Sequence, residues 1–477
     1  MSSTGGRRAG PRTAKQGWGA TGVAAVAVAV AAAATALMAG RADPIDPQPT
    51  SEPSTIPVER TVQACPRSRA PGGAQTRVLT GSAAVGGLGG EGSVERGPVG
   101  ADGQDIGLER GSQVTARAGA ADGPALVVRA VGELAAGLFT VQADIGRSTV
   151  AATQCEPPAS DWWFTGAGAT LDHSSSLVLT NVDPGPAVLD VRVFGETGEV
   201  DTVGTRGITI APGTQTTIPL TDVAPQGEEL AVNVTTSRGR VVAAMADSYA
   251  EEEGARRGDE WIPAQRGASR TVRLSGMPPR ADTRALLIGN PSTSEALVSV
   301  NVAGESGSFA PTEASEIRVP PGTVVSTDVA NVVEGADVSV RLRSRVPVVA
   351  SIRSTIDGDS TYAPAVRPLD APAATPLLDG TDSRVVLSAG AEPATATATT
   401  YDASGQEVES TELEIVAEGT VSWTPRRPAA YVLVAPGQGD VSGAVSSAGD
   451  AGVTQLPMSS LPISLRQPVV SPVVTIR

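Results

Sequence analysis

Residues 177–202 read LVLTNVDPGPAVLDVRVFGETGEVDT, and residues 286–311 repeat the pattern as LLIGNPSTSEALVSVNVAGESGSFAP. The two stretches are 109 residues apart, which places Gly198 on Gly307. Within each copy, apolar residues alternate with polar ones, the pattern of a strand with one buried face. Glycine at the same position predicts a hairpin turn, because such turns require a positive φ. The stretch therefore predicts two copies of one β-rich module.

The repeat extends beyond this pair of segments. Asn181 corresponds to Asn290 and Gly213 to Gly322 at the same separation. Gly405 and Gly419 mark a weaker third copy, 98 and 97 residues after Gly307 and Gly322. The segment that precedes the first clear copy is counted as a divergent unit. The chain is therefore predicted to carry four modules, at residues 60–160, 161–263, 264–370 and 371–477.

The spacing of strands and turns predicts the fold class. Short alternating segments are separated by turn residues, and no helical apolar period occurs beyond residue 40. This pattern indicates an all-β protein of tandem immunoglobulin-like or fibronectin-like β-sandwiches. A β-propeller is the alternative, in which one period of about 100 residues covers two blades of about 40–50 residues.

The composition excludes several classes of function. The 477 residues include a single histidine, His173, so a two-histidine metal site is excluded and a serine–histidine–aspartate triad would have to use that residue. The net charge of -15 argues against a nucleic-acid partner. No G-x-S-x-G, H-E-x-x-H or phosphate-loop motif occurs. We therefore assign no catalytic, cofactor-binding or metal-binding residue.

The N-terminal residues predict a membrane anchor. Residues 1–18 form a basic tail, residues 19–40 an apolar run, and residues 41–59 a Pro-rich stalk. The run is long enough to cross a bilayer, and the bases before it place the N-terminus in the cytoplasm. The expected location is the cell membrane, with a single pass and an extracytoplasmic ectodomain. Cleavage after Ala34-Thr35-Ala36 is the alternative and would give a secreted protein.

Two cysteines fit an extracytoplasmic location. Cys65 and Cys155 both follow the apolar run, where an oxidising compartment permits a disulfide. The glycine-rich stretch at residues 81–111 lies between them and raises the conformational entropy that folding must overcome. We therefore predict that Cys65 and Cys155 form a disulfide that holds the first module together.

Tryptophan recurs at the predicted module boundaries. Trp162 and Trp163 follow the first boundary, and Trp261 precedes the next one. Exposed indoles would give flat apolar faces on which sugar rings stack, so these three residues are candidate ligand contacts. Buried indoles would instead fill the junctions between modules. The sequence leaves both interpretations open.

Other polar motifs are expected to be structural. Asp357-Gly358-Asp359 and the Asp-Gly stretch at residues 379–382 are predicted to form turns, with calcium binding as the alternative. The charged residues at 251–257 are expected to form a solvated loop. His173 is expected to be a polar residue just ahead of a strand.

The order of these features resembles an actinobacterial family of membrane-anchored or secreted proteins of unknown function. The resemblance covers most of residues 60–477 and implies a location, but no activity and no catalytic residues. The residues that carry it are Trp162, Trp163, Trp261-Ile262-Pro263, Asn181, Asn290-Pro291, Gly239-Arg240-Val241-Val242, Gly276-Met277-Pro278, Pro320 to Gly322, Pro347-Val348-Val349 and Pro368-Leu369.

These observations lead to one expected function and two alternatives. We expect a non-enzymatic membrane-anchored protein of the cell envelope, acting as an interaction or structural scaffold for another envelope protein or a cell-wall polymer. The first alternative is a cell-wall glycan-binding module. The second is an extracytoplasmic hydrolase that uses two carboxyl groups roughly 5–10 Å apart in a cleft.

Overall fold

The computed structural model describes residues 30–31, 55–68, 75–85, 91–117, 123–146, 149–202, 204–252, 254–312, 314–332 and 337–466. The predicted cytoplasmic tail, nearly all of the predicted membrane span and most of the stalk therefore lie outside the described residues. Among the residues described, no helix has both the length and the apolar character needed to cross a membrane. Residues 56–465 form one compact unit.

Regular structure in this unit is nearly all β, as the sequence predicts. The described residues include 36 strands and two three-residue 3-10 helices, Leu220–Asp222 and Ala330–Val332. The first strand, β1 (Thr55–Pro57), pairs with the last, β36 (Ser464–Arg466). Between them, one arrangement of two antiparallel sheets occurs four times. We call the sheet that holds the first strand of a repeat sheet a, and the other one sheet b.

The first two repeats follow the same strand order. Repeat 1 comprises β2 (Arg60–Cys65), β3 (Gln75–Ser82), β4 (Gly92–Pro98), β5 (Gln104–Asp105), β6 (Gln113–Arg117), β7 (Leu126–Gly132), β8 (Leu138–Ile145) and β9 (Val150–Gln154). Its sheet a has the order β2-β7-β4-β5 and its sheet b the order β6-β3-β8-β9. Repeat 2 comprises β10 (Asp161–Ala167), β11 (His173–Asn181), β12 (Ala187–Gly195), β13 (Gly198–Val200), β14 (Ile208–Ile210), β15 (Thr214–Pro219), β16 (Leu230–Arg238), β17 (Val242–Tyr249) and β18 (Gly258–Ile262). Its sheets have the orders β10-β16-β12-β13, with β14 also on β12, and β15-β11-β17-β18.

The last two repeats keep this order with one variation. Repeat 3 comprises β19 (Ser269–Leu274), β20 (Thr283–Gly289), β21 (Ala296–Gly304), β22 (Gly307–Phe309), β23 (Glu316–Val319), β24 (Val324–Asp328), β25 (Ser339–Ile356), β26 (Asp359–Ala363) and β27 (Ala365–Val366). Its long β25 pairs with β19 and β21 in sheet a, and then with β20 and β26 in sheet b. Repeat 4 comprises β28 (Ala373–Pro376), β29 (Asp382–Ala389), β30 (Ala394–Tyr401), β31 (Glu407–Ile415), β32 (Thr420–Trp423), β33 (Tyr431–Pro436), β34 (Val441–Gly449) and β35 (Gly452–Pro457). Its sheets have the orders β28-β33-β30-β31 and β32-β29-β34-β35.

Local contacts confirm the equivalences drawn from the sequence. The Asn181 side-chain amide donates to the Gly185 and Ile210 carbonyls, at 2.9 and 3.0 Å. Asn290 makes the corresponding bonds in repeat 3, to Ser294 and Val319 at 2.8 and 3.0 Å. The predicted turn glycines, Gly198, Gly307 and Gly405, all have positive φ.

The two sheets of each repeat share an apolar core. In repeat 2, Leu189, Val191 and Val193 of sheet a are at most 2% exposed and belong to one cluster with Leu177 and Leu179 of sheet b. Separate clusters join the two sheets in the other repeats. The predicted alternation of buried and open positions on these strands is thus confirmed.

The sheets also pack across the repeat boundaries. Between repeats 1 and 2, Ala151 lies in one cluster with Val178 and Trp261. Between repeats 2 and 3, Trp163 clusters with Val349. These contacts use the faces that point away from each repeat's own core, so the sheets are covered on both sides.

The remaining boundaries close the circuit. Between repeats 3 and 4, the Arg341 guanidinium donates to Ala389 O at 2.6 Å. Between repeats 4 and 1, the ring of Tyr431 lies 5.0 Å from that of Phe139, and its hydroxyl donates to Gly111 O at 2.6 Å. Repeat 4 therefore packs on repeat 1, and the eight sheets form a closed ring.

The predicted disulfide is confirmed. Cys65 ends β2 in sheet a of repeat 1, and Cys155 directly follows β9 in sheet b. Both residues are buried. The bond therefore ties the two sheets of repeat 1 together beside the boundary with repeat 2.

Removing this bond should destabilise the ring. The double substitution Cys65→Ala and Cys155→Ala is expected to lower the free energy of unfolding by about 2–5 kcal/mol, because the 90-residue loop is no longer closed in the unfolded chain. Chemical denaturation followed by tryptophan fluorescence measures this change. A reductant should destabilise the wild type and leave the double variant unchanged; equal effects on both would contradict the prediction.

Candidate functional site

Four strands, one from each repeat, meet at the centre of the ring. They are the last strands of the b sheets, β9, β18, β26 and β35, and we call them the axial strands. Each contacts the next around the circuit, and β35 contacts β9. The third residues of these strands are Ala152, Glu260, Thr361 and Thr454. The centre of the ring is thus a point where one side chain can reach all four repeats.

Glu260 is that side chain. Its Oε1 accepts hydrogen bonds from the backbone N–H of Ala152 at 3.1 Å and of Trp261 at 2.9 Å. Its Oε2 lies 3.5 Å from the Thr361 hydroxyl, and the Thr454 hydroxyl also bonds to this carboxyl group. Ala152, Thr361 and Thr454 belong to the three other repeats, so Glu260 joins all four.

Asp359, the first residue of its axial strand, makes a second junction. Its Oδ2 accepts a hydrogen bond from Val453 N in repeat 4 at 2.9 Å, and Val150 N in repeat 1 also donates to the carboxyl group. The first residues of two neighbouring axial strands are glycines. A Cβ on Gly452 would lie 2.0 Å from Asp359 Oδ2, and one on Gly258 would lie 2.3 Å from Ser360 N. Gly452 therefore makes room for the Asp359 carboxyl group, and Gly258 for the backbone that follows Asp359.

Burial raises the pKa of both carboxyl groups. Glu260 is 3% exposed, and its burial raises its pKa well above the usual value, although the N–H donors oppose this and nearby Asp359 adds to it. Burial likewise raises the pKa of Asp359 to about 7, against the effect of its backbone donors and Arg256. The Asp359 Oδ1 atom is buried without a hydrogen-bond partner, as suits a neutral carboxyl group. The axis therefore holds acids that favour the protonated form.

A third buried acid, Asp247, lies between repeats 2 and 3. His173 Nε2 is 3.1 Å from Asp247 Oδ1, Ser175 Oγ donates to the same oxygen at 2.5 Å, and Tyr362 donates to Oδ2 at 2.6 Å. Burial would raise the pKa of Asp247, but His173 and the two hydroxyl donors outweigh it and lower that pKa. Ser175 bonds to the acid and not to the imidazole, so the three groups do not form a nucleophilic triad.

This position of His173 differs from the expectation. The residue begins β11 and is 4% exposed, so it lies inside the protein and not just ahead of the strand. Local sequence does not indicate this burial, because Asp247, the partner of His173, lies 74 residues away. His173 is a structural residue that satisfies a buried carboxylate.

The three tryptophans proposed as ligand contacts are all buried. Trp162, Trp163 and Trp261 are 0%, 6% and 3% exposed. Trp162 carries the Arg266 guanidinium over its ring at 3.6 Å, and Trp163 stacks on Phe194. A sugar ring therefore has no open indole face on which to stack in this structure. The three tryptophans fill the core and the repeat boundaries, which was the other interpretation.

The predicted Asp-Gly turns are present. Asp357 and Gly358 have positive φ in the turn between β25 and β26, and Gly380 has positive φ before β29. Asp359 nevertheless points to the axis, which the turn interpretation did not anticipate. In the described part of the chain, no group of three or more histidine, cysteine, aspartate or glutamate side chains is placed to hold a metal ion.

Open cavities lie where the repeats are connected. The connections at residues 156–160, 263–268, 364–372 and 457–463 line adjoining cavities, and we call this surface the linker face. The larger cavity, of about 730 Å³, lies between the 263–268 and 364–372 connections. A second cavity, of about 470 Å³, lies beside the disulfide. A smaller void of about 20 Å³ lies next to Trp261.

Arginines outnumber acids among the residues that line the larger cavity. Its walls include Arg266, Arg273 and Arg367, with Glu156 and Asp370 as the acids, and we call it the arginine basin. Arg266 is paired with Glu156 at 2.9 Å. Arg273 lies 3.7 Å from Asp440 Oδ2, and burial lowers its pKa although Asp440 opposes this. Arg367 is exposed and forms no ion pair among the residues described. In a chain of net charge -15, this basin is suited to an anionic group.

The two acids that meet at the axis do not lie in these cavities. Glu260 and Asp359 are 3% and 1% exposed, and neither lines any of the three cavities described above. A glycoside hydrolase needs its two carboxyl groups open to the substrate in a cleft. The axial acids therefore do not provide the site that the hydrolase alternative requires.

The axial acids predict an unusual pH dependence of stability. An acid whose pKa is higher in the folded chain binds more protons when folded, so its stabilising effect is present below pH 4 and is lost as the pH rises through 7. The substitution Asp359→Asn removes the charge and keeps an acceptor oxygen. It should therefore raise the free energy of unfolding at pH 8 by about 1–4 kcal/mol and change it little at pH 4.

Thermal and chemical denaturation between pH 4 and 8 measures this difference. The matched control is Glu412→Gln on β31, because Glu412 is exposed. The control should follow the wild-type profile at every pH. A profile of Asp359→Asn that is parallel to the wild type would contradict the assignment.

Comparison with known proteins gives a family and no activity. The model of the family of unknown function DUF5719 matches residues 114–426, which is roughly two thirds of the chain. The matched region runs from β6 to the residues just after β32, and it includes Glu260 and Asp359. A search of curated proteins gave no match. The chain belongs to the family of unknown function DUF5719.

Proposed function

We propose that this protein is a non-enzymatic, membrane-anchored component of the cell envelope, and that its ring is a rigid scaffold whose arginine basin binds an acidic segment of an envelope partner. The basin is the observation that carries the proposal. It gathers three arginines from a chain with an excess of acids, and residues from several repeats line it.

The location rests on the N-terminal sequence and the disulfide. The basic tail at 1–18 and the apolar run at 19–40 support a single-pass anchor with the N-terminus in the cytoplasm. The bond between Cys65 and Cys155 supports an oxidising compartment for the ring. The resemblance to actinobacterial envelope proteins supports the same location. A secreted form, after cleavage of the anchor, would carry the same basin.

The hydrogen bonds of the buried acids support a scaffold function. The acids Glu260, Asp359 and Asp247 all bond to residues of the ring itself. Each joins different repeats or strands, so their effect is to hold the ring in one shape. A rigid ring holds the arginines of the basin in fixed positions, which reduces the entropy lost when a partner binds.

The finer fold class is part of this proposal. Each repeat has two antiparallel sheets around a core, as in an immunoglobulin-like or fibronectin-like sandwich. The closed circuit of sheets around axial strands corresponds to the β-propeller alternative, with two sheets in each period of about 100 residues. We therefore describe the protein as a propeller-like ring of sandwich-like repeats.

Site-specific crosslinking tests the proposed function. A photo-crosslinking amino acid replaces Asp370, an exposed residue of the arginine basin, in the full chain in intact cells. We expect one defined envelope partner in the crosslinked product. The additional substitution Arg367→Glu should reduce that product at least fivefold, because it reverses a charge in the basin.

The same crosslinker in place of exposed Glu412, on β31, is the matched control. It should not capture this partner. A product that is equal at both positions, or that is unchanged by Arg367→Glu, would contradict binding at the basin.

A further inference from the structure

Both ring nitrogens of His173, the single histidine of the chain, face acceptor atoms. Nδ1 lies 3.0 Å from the Glu228 carbonyl oxygen, and Nε2 lies 3.1 Å from Asp247 Oδ1. A carbonyl oxygen and an ionised carboxylate can accept a hydrogen bond but cannot donate one. A neutral imidazole has one N–H and satisfies one of these acceptors, whereas an imidazolium satisfies both. The hydrogen bonds therefore fit the doubly protonated ring.

The burial of Asp247 favours the same protonation state. This residue is 0% exposed, and the hydroxyl groups of Ser175 and Tyr362 donate to its carboxylate at 2.5 and 2.6 Å. Burying a charge is costly, and a positive charge at hydrogen-bond distance offsets that cost. An imidazolium at His173 supplies this charge, whereas a neutral ring does not.

The other titratable groups around the pair do not replace the charge of His173. Arg353 of β25 is paired with both carboxylate oxygens of Glu229, at 3.0 and 2.6 Å. Glu260 of β18 pairs in register with Asp247, and burial raises its pKa well above the usual value, so it adds no charge. The remaining groups are Tyr249, whose ring contacts both His173 and Arg353, Tyr362, the ion pair of Asp172 with Arg257, and the exposed side chain of Glu228.

The Asp247 carboxylate also joins two repeats. Its partner Tyr362 belongs to the axial strand β26 of repeat 3, whereas His173 and Asp247 belong to β11 and β17 of repeat 2. Gly166 permits the close approach of the repeats at this point, because a Cβ there would lie 3.0 Å from the Tyr362 ring. A change in the charge of the His173–Asp247 pair therefore acts directly on the boundary between repeats 2 and 3.

We propose that His173 is a proton-operated latch between repeats 2 and 3, closed while the ring is an imidazolium and opened by the loss of one proton. After that loss, one ring nitrogen faces an oxygen atom with no proton between them, and the positive charge beside Asp247 is gone. Opening of the boundary to water then hydrates the carboxylate. Histidine titrates between about pH 5 and 8, so the latch responds to pH in that range. It needs no partner at the arginine basin.

Nuclear magnetic resonance of the single imidazole tests the protonation state. The full chain in detergent micelles, labelled with ring-¹⁵N histidine, gives one pair of nitrogen signals, because the chain has no other histidine. At about pH 5.5 both nitrogens should carry a proton, and by about pH 8.5 one of these protons should be lost. A ring that has one N–H throughout this range, or two throughout, would overturn the proposal.

Amide hydrogen exchange, measured by mass spectrometry, tests the opening of the boundary. The full chain with Asp359→Asn is used, because the pKa of Asp359, about 7, would otherwise add a second transition. After correction for the intrinsic pH dependence of exchange, the protection of β11, β17 and β26 should fall at least about tenfold at the pH where His173 loses its proton. Strands β29 and β30 of repeat 4 are the reference and should not change.

Two further substitutions in this chain separate the latch from a general loss of stability. Asp247→Asn removes the buried charge and should abolish the pH-dependent fall in protection. Tyr362→Phe is the matched control, because it also removes a bond at the boundary but keeps the charged pair, and it should retain the fall. A fall that persists in Asp247→Asn, or that is absent from the chain with Asp359→Asn alone, would contradict the latch. If neither variant folds, the midpoints decide, and a difference of more than about half a pH unit between the imidazole titration and the exchange transition would also contradict it.

Discussion

The hydrogen bonds that converge on the Glu260 carboxyl group are the interaction on which the ring depends. At the centre, four strands from four repeats approach one another, and their inward backbone N–H groups cannot all pair within a sheet. A buried N–H without an acceptor costs about 1–3 kcal/mol. Glu260 supplies acceptor oxygens to Ala152 and Trp261, and hydroxyl groups of repeats 3 and 4 complete its bonding. Its raised pKa reflects the burial that this position requires.

The residues at the axis also show how repeats of the same topology differ in sequence. The third residues of the axial strands are Ala152, Glu260, Thr361 and Thr454, so one repeat provides the acid and the others provide small donors. A fourfold copy of Glu260 would place four carboxyl groups at one buried point, where even one charge is costly. The first residues differ for the same reason, because Asp359 occupies space that Gly258 and Gly452 leave free. The repeats are therefore alike in topology and specialised at their contact.

The sequence was sufficient for the strands, the turns and the disulfide, because these depend on local patterns. The alternation at Leu189, Val191 and Val193 predicts a buried face from neighbouring residues alone. Ring closure depends on the opposite faces, where Trp163 and Phe194 pack on repeat 3. A strand that is apolar on both faces is a signal for such double burial, but a single apolar residue on an outer face does not specify its partner. Glu260 lies between Asp259 and Trp261, and nothing in that short stretch distinguishes a central buried acid from a solvated one.

Closure of the ring also limits how this architecture can change during evolution. In an open array each repeat touches only its neighbours, so the array can lengthen or shorten by whole units. Here Val58 N donates to Ile463 O, and Phe139 packs on Tyr431, so the two ends of the array are neighbours themselves. Deleting or duplicating one repeat would change the angle at every boundary at once and remove the common point at which the axial strands meet. New properties are therefore expected to arise by substitution in the connections and cavities, with the number of repeats held at four.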